Sequence, residues 1–137
     1  MNAAVDTSVV VAGLCSWHPD HQAAKAVLLT RPTPLVHVLL ESYSVLTRLP
    51  APRRLDPQLV LSALERLFPA KPVGLPPTAV LGLLRRLAPD GIYGGATYDA
   101  LVGESARANK VALHTLDLRA RPVYEAIGVE VLWVVRR

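Results

Sequence analysis

Short apolar runs that stop at a polar residue alternate along this chain with longer stretches of helical period, and that alternation restricts the fold more than any other feature. Ala3–Asp6 reads as a strand, and HPDHQAAKAVLLT from His18 to Thr30 as a helix with Pro19 in its first turn. A short apolar run at Leu35–Val38 supplies either a second strand or the entry into the helix LLESYSVLTRL, in which Leu39, Tyr43 and Leu46 mark the core stripe. LPAPRRLDP is a loop leading to the helix DPQLVLSALERLF, with Asp56 as N-cap and Pro57 at the first position. KPVGL at 71–75 reads as a short strand, PPTAVLGLLRRLA at 76–88 as an amphipathic helix, and DGIYGG as a glycine-rich connection. The helix GATYDALVGESARANK, the buried strand VALHT at 111–115, a short helix ending at Gly128 and the closing strand VEVLWVV complete the pattern. Strands separated by helices predict an α/β fold with a mostly parallel central sheet covered on both faces.

At 137 residues, 51% of them hydrophobic, the chain has the size and apolar content of one globular domain. Apolar runs such as VVVAGLC fall far short of the roughly 18 residues needed to cross a bilayer, and MNAAVD lacks the basic start of a secretory signal. The expectation is a cytoplasmic protein. The lone Cys15 excludes an internal disulfide and a multi-cysteine zinc site, and reads as a small buried hydrophobe. Fifteen Lys and Arg against 11 acids give a net charge of +4, which tolerates a polyanionic partner without requiring one.

Of the acids, Asp20, Asp56 and Asp90 fit first turns or a turn, Glu65, Glu104 and Glu125 fit solvated helix faces, and Glu130 opens the last strand. Asp6, Glu41, Asp99 and Asp117 remain. Asp6 closes the first strand in AVDTS, where it either caps the following helix or stands as a ligand at a strand's carboxyl end. Asp99 shares its helical stripe with Val102, Gly103 and Ala106, a small apolar row that packs inward, and Glu41 interrupts an apolar stretch between Val38 and Val45. An acid in such a place needs compensation. Asp117 follows VALHT and repeats at a second strand end the arrangement at Asp6. Like charges brought together raise one another's pKa and oppose folding unless a cation joins them. An all-oxygen set suits Mg²⁺ or Mn²⁺, which serve the hydrolysis of phosphodiesters.

The segments AVDTSVVVA at 4–12, HPDHQAA at 18–24, LLESYSVLTRL at 39–49, YDALVGESARANKVALHTLD at 98–117 and RPVYEAIGVEVLWV at 121–134 together resemble the PIN-domain ribonucleases, and among them the VapC toxins of toxin–antitoxin pairs. The resemblance spans nearly the full length and implies a single PIN domain over 1–137, a three-layer α/β/α sandwich. It also implies a Mg²⁺- or Mn²⁺-dependent endoribonuclease, with Asp6, Glu41, Asp99 and Asp117 as catalytic and metal-binding acids. Thr7, Ser8 and Thr115 match the hydroxyls that orient those carboxylates by hydrogen bonding. A cognate VapB-like antitoxin and a homodimer are the partners implied, the antitoxin placing a basic side chain near the metal site.

Arg48, Arg53, Arg54, Arg119 and Arg121 stand in segments next to these acids, where they contact RNA phosphates or merely keep the surface soluble. His18 and His21 read as surface or helix-start residues, His37 and His114 as core or surface ones, and Trp17 and Trp133 as partly buried. Helices 56–68 and 76–88 carry more apolar surface than a small sheet requires. Two rival readings stand beside the toxin: a PIN nuclease acting on RNA processing or DNA structures without an antitoxin, and a non-catalytic binding module whose acids are caps and salt-bridge partners.

Overall fold

The computed structural model describes residues 3–135. Three strands, β1 (Ala4–Val5), β2 (Leu113–Thr115) and β3 (Val131–Trp133), form a parallel sheet in that spatial order. Ala4 pairs with Leu113, and Leu113 in turn with Val131. Single parallel bridges continue the sheet beyond β1, joining Ala4 to Thr33 and Leu35 to Val73. The run at 33–35 is therefore both strand-like and the approach to a helix, and where a short strand is expected at 71–75 Val73 alone makes a single bridge.

Among the described residues seven α-helices surround the sheet: α1 (Thr7–Leu14), α2 (His21–Leu28), α3 (Val36–Thr47), α4 (Pro57–Leu67), α5 (Val80–Leu87), α6 (Ala96–Ala108) and α7 (Arg121–Ile127). α1 packs on α2 and α3, α3 on α4, and α6 on both α5 and α7. This is the α/β sandwich with a parallel sheet that the alternation predicts. No helix among the described residues is long and apolar enough to cross a membrane.

Local chemistry explains the helix ends. Asp56 accepts hydrogen bonds from the N–H groups of Gln58 and Leu59 at 3.0 and 3.3 Å, with Pro57 at the first position of α4. Gly128, at φ 86°, closes α7 in the left-handed conformation that glycine adopts without a Cβ penalty, and its N–H reaches the carbonyl of Tyr124 at 2.9 Å.

The core is built from β1 and β2 (Ala4, Val5, Leu113), the inner faces of α1 and α3 (Val9, Val10, Val38, Leu46), and Tyr124 of α7. Tyr43, expected in the stripe of α3, is 41% exposed, and Ser42 takes its place in the core with Val38 and Leu46. The i, i+4 rule identified the helix and the buried Leu46, with Leu39 partly buried against the core; Tyr43 alone of the expected stripe turns outward. In α5 only Leu83 and Leu87 are buried; Val80 and Leu84 face out. A second correction concerns Glu104, which is 8% exposed and held by Arg107 of its own helix and Arg86 of α5. Cys15 is buried.

The order of pairing creates the site. From β1 the chain moves outward on one side, through 33–35 to Val73. It then returns to the opposite flank of β1 as β2 and continues outward to β3. Strand order thus reverses between β1 and β2, and in an open parallel sheet the crevice beyond the carboxyl ends at such a reversal is where ligands bind. Asp6 follows β1 directly and Asp117 follows β2 by two residues.

Candidate active site

A cleft of about 230 Å³ opens at this crevice, and Asp6, Glu41, Asp99 and Asp117 all line it, together with Thr7, Ser8, Arg119 and Tyr124. Four separate elements deliver the acids: the end of β1, α3, α6 and the turn after β2.

Asp6 is the deepest of them, 4% exposed. It occupies the N-cap position of α1 with extended backbone, yet its side chain makes no capping hydrogen bond. Its carboxylate instead accepts from three hydroxyls: Ser8 on Oδ1 at 2.5 Å, and Thr115 and Tyr124 on Oδ2 at 2.5 and 2.8 Å. Burial pushes its pKa up, opposed by those three donors. The donors are themselves fixed. The Ser8 hydroxyl accepts from the Leu116 N–H at 3.0 Å, and that of Thr115 accepts from the Asp117 N–H at 3.0 Å. Strand alternation decides which residue of β2 serves the site. Thr115 reaches Asp6, while His114 turns the other way to line a groove with Ala23 and Val27 of α2.

Glu41 accepts a hydrogen bond from the Thr7 hydroxyl at 2.5 Å, and His37 Nε2 stands 3.9 Å from it. The His37 imidazole, above all, and the Thr7 hydroxyl hold the Glu41 carboxyl below its ordinary range. The ring of His37 stacks on that of Tyr98 at 5.2 Å between centroids.

Asp99 and Asp117 share one cation. The Arg119 guanidinium donates to Asp99 Oδ2 and Oδ1 at 3.1 and 3.4 Å and to Asp117 Oδ2 at 3.0 Å. The backbone N–H of Arg119 donates to Asp117 Oδ1 at 3.0 Å, so Asp117 also caps the short helical turn Leu118–Ala120. Burial raises the pKa of Asp99; Arg119 opposes the rise, while the charges of Asp117 and Glu41 add to it.

The PIN domain model matches residues 3–126. This chain belongs to the PIN-domain family. It is 44% identical over 128 residues to Ribonuclease VapC40 of Mycobacterium tuberculosis, in strains CDC 1551 / Oshkosh and ATCC 25618 / H37Rv alike, a match covering 93% of this chain and 96% of the relative. Ribonuclease VapC27 of strain H37Rv is also 44% identical, over 130 residues and 94% of each chain. Within the PIN-domain family the chain falls among the VapC ribonucleases.

The cleft of this PIN domain suits a divalent cation in its chemistry, since its lining offers hard carboxylate oxygens and a positive group already sits between two of them. Its side chains are not drawn around a common point, however. Among the described residues no three His, Cys, Asp or Glu side chains are set to hold a metal ion. The charge of Asp99 and Asp117 is balanced by the guanidinium instead.

Of the five arginines considered for RNA, Arg119 alone lines the cleft among the described residues. Arg53 and Arg121 lie over the rings of Trp17 and Trp133, at 4.2 and 5.0 Å. Arg54 donates to the Leu49 carbonyl at 2.9 Å, and Arg48 faces Ser44 at 3.4 Å. His18 and His21 serve the α1–α2 connection: His18 Nδ1 accepts from the Asp20 N–H, and His21 Nδ1 donates to the Ala12 carbonyl.

Tyr124, which lines the PIN domain's cleft, escaped the sequence reading. It looked like one more apolar residue of a short helix, and nothing in its neighbourhood marks it as a partner of Asp6, 118 positions away. His37, outside the cleft lining but 3.9 Å from Glu41, did carry a signal of that contact, its i, i+4 spacing.

Proposed function

We propose that this protein is a metal-dependent endoribonuclease, the toxin of a VapBC-type pair, acting in the cytoplasm as a homodimer and silenced by a cognate VapB-like antitoxin. The observation that carries the reading is the meeting of four carboxylates from four elements in one cleft at the strand-order reversal. The two relatives are both ribonucleases by name, which supports RNA as the substrate. Apolar side chains exposed on α4 and α5, including Leu59, Leu61, Leu81 and Leu84, supply surface for a second copy or an antitoxin segment.

In this reading Asp6, Glu41, Asp99 and Asp117 would hold Mg²⁺ or Mn²⁺. The chemistry such an ion would supply when bound is positive charge, to acidify a water and offset the negative charge developing at phosphorus. The chain's own residues prepare the place. Ser8, Thr115 and Tyr124 hold Asp6 in one orientation and oppose the rise that burial gives its pKa, Thr7 donates to Glu41, and the Leu118–Ala120 turn fixes Asp117. A water oxygen bonds to phosphorus, the bond from phosphorus to the 3′ oxygen breaks, and that oxygen takes up a proton. The products are a 5′-phosphate and a 3′-hydroxyl.

Incubating the purified protein and its Asp6→Asn variant with total cellular RNA and Mg²⁺, then mapping new 5′ ends, tests the proposal. Discrete 5′-phosphate ends are expected with the parent, and neither with the variant nor in the presence of EDTA. Cleavage by the variant at the parent rate sinks the assignment. Growth arrest on expression without the antitoxin distinguishes a toxin from a processing nuclease.

A further inference from the structure

Among the described residues one basic side chain, Arg119, lines the cleft, and it occupies the place where the acids most need a positive charge. Arg119 follows Asp117 by two residues, on a turn whose backbone Asp117 itself caps, so its guanidinium is delivered to Asp117 by local geometry. From there it spans to Asp99, and the two bonds to Asp99 form the forked pairing that a planar guanidinium makes with a carboxylate. The Arg119 side chain is 68% exposed, whereas those of Asp99 and Asp117 are 18% and 28% exposed. It therefore closes the acids from the solvent side, and can leave through water without disturbing the core.

We infer that Arg119 is the built-in counter-ion of the acid cleft, and that a divalent cation binds by displacing its guanidinium from Asp99 and Asp117. The inference rests on the metal-dependent reading above. Its physical basis is that an ion pair so open to water is worth little, so that a doubly charged ion outcompetes it. The arginine meanwhile spares the metal-free protein from the repulsion between Asp99, Asp117 and Glu41. In effect the chain carries its own weak competitor for the metal, which sets the ion concentration at which the cleft fills.

The test is calorimetric titration of Mn²⁺ into the EDTA-treated, dialysed protein and into three variants. Arg119→Gln removes the competitor, Arg119→Lys keeps the charge without the fork, and Arg85→Gln removes an equal charge from an exposed position on α5. Arg119→Gln is expected to bind Mn²⁺ roughly three- to tenfold more tightly than Arg85→Gln, the range that displacing exposed ion pairs allows. Arg119→Lys should fall between. Melting temperature gives a second readout: without metal Arg119→Gln should melt below the parent, and saturating Mn²⁺ should raise it by more. Equal or weaker Mn²⁺ binding by Arg119→Gln than by Arg85→Gln overturns the inference and leaves the metal-dependent reading standing. Absence of Mn²⁺ binding in the parent and all variants overturns both.

Discussion

The hydroxyl of Tyr124 donates to Asp6 Oδ2 at 2.8 Å, joining the first strand to the last helix across 118 positions of sequence. Both side chains are buried, and burial together with the Asp6 charge raises the Tyr124 pKa, so the phenol stays a donor throughout the physiological range. Tyr124→Phe removes a buried hydrogen bond to a charged group. It is expected to cost about 2 kcal/mol in urea unfolding and to lower kcat by about tenfold or more, the usual effect of losing a partner that orients a ligand. The KM for RNA should hold, because Tyr124 lies beneath Asp6 and not on the surface.

Gly103 of α6 faces the same tyrosine. A Cβ built there stands 3.2 Å from Tyr124 Cδ1 and 3.5 Å from side-chain carbons of Ile127 and Val129. Gly103→Val should therefore press on α7, destabilising the fold by about 1–3 kcal/mol as overpacked cores do and lowering cleavage in proportion to the displacement of Tyr124. Thermal melting and an RNA cleavage assay on the same preparation check both.

Glu104 should govern the acid limb of stability. Arg107, first of all, and Arg86 hold its pKa below the ordinary value, through contacts of 2.7 and 2.8 Å and 3.3 Å. A lowered folded pKa means the stabilisation is fully present above the ordinary glutamate range and is lost as pH falls through the folded value. Glu104→Gln is expected to cost about 1–2 kcal/mol at pH 7, a modest figure because both arginines are half exposed. The gap to the parent should close as unfolding is repeated from pH 5 down to pH 3.

Asp56→Ala serves as the contrast. Its carboxylate caps the exposed start of α4 and does not line the cleft, and its loss should cost about 1 kcal/mol with cleavage per folded molecule unchanged.

What the sequence by itself determined is what local rules determine. The alternation of short apolar runs and helical periods specified an α/β fold with a parallel sheet, Asp56–Pro57 and Gly128 specified helix ends, and the misfit of Asp99 and Glu41 in apolar surroundings marked them for a partner. Reading depended on neighbours three or four positions away, and there it held, apart from Tyr43 of α3 and Val80 and Leu84 of α5, which the packing leaves outside. Glu104 misled for the same reason. Its own helix shows the pairing with Arg107, but the burial comes from packing that brings Arg86 over from α5.

Only the tertiary structure decided that strand order reverses between β1 and β2, which brings residues from four elements to one cleft. It also decided that Tyr124 supports Asp6 and that Arg119, rather than a tight knot of acids, balances the charge of Asp99 and Asp117. The physical reason is that electrostatic and hydrogen-bond energies depend on distance in space, and spatial distance between remote segments is fixed by sheet order and helix packing, which no local pattern encodes.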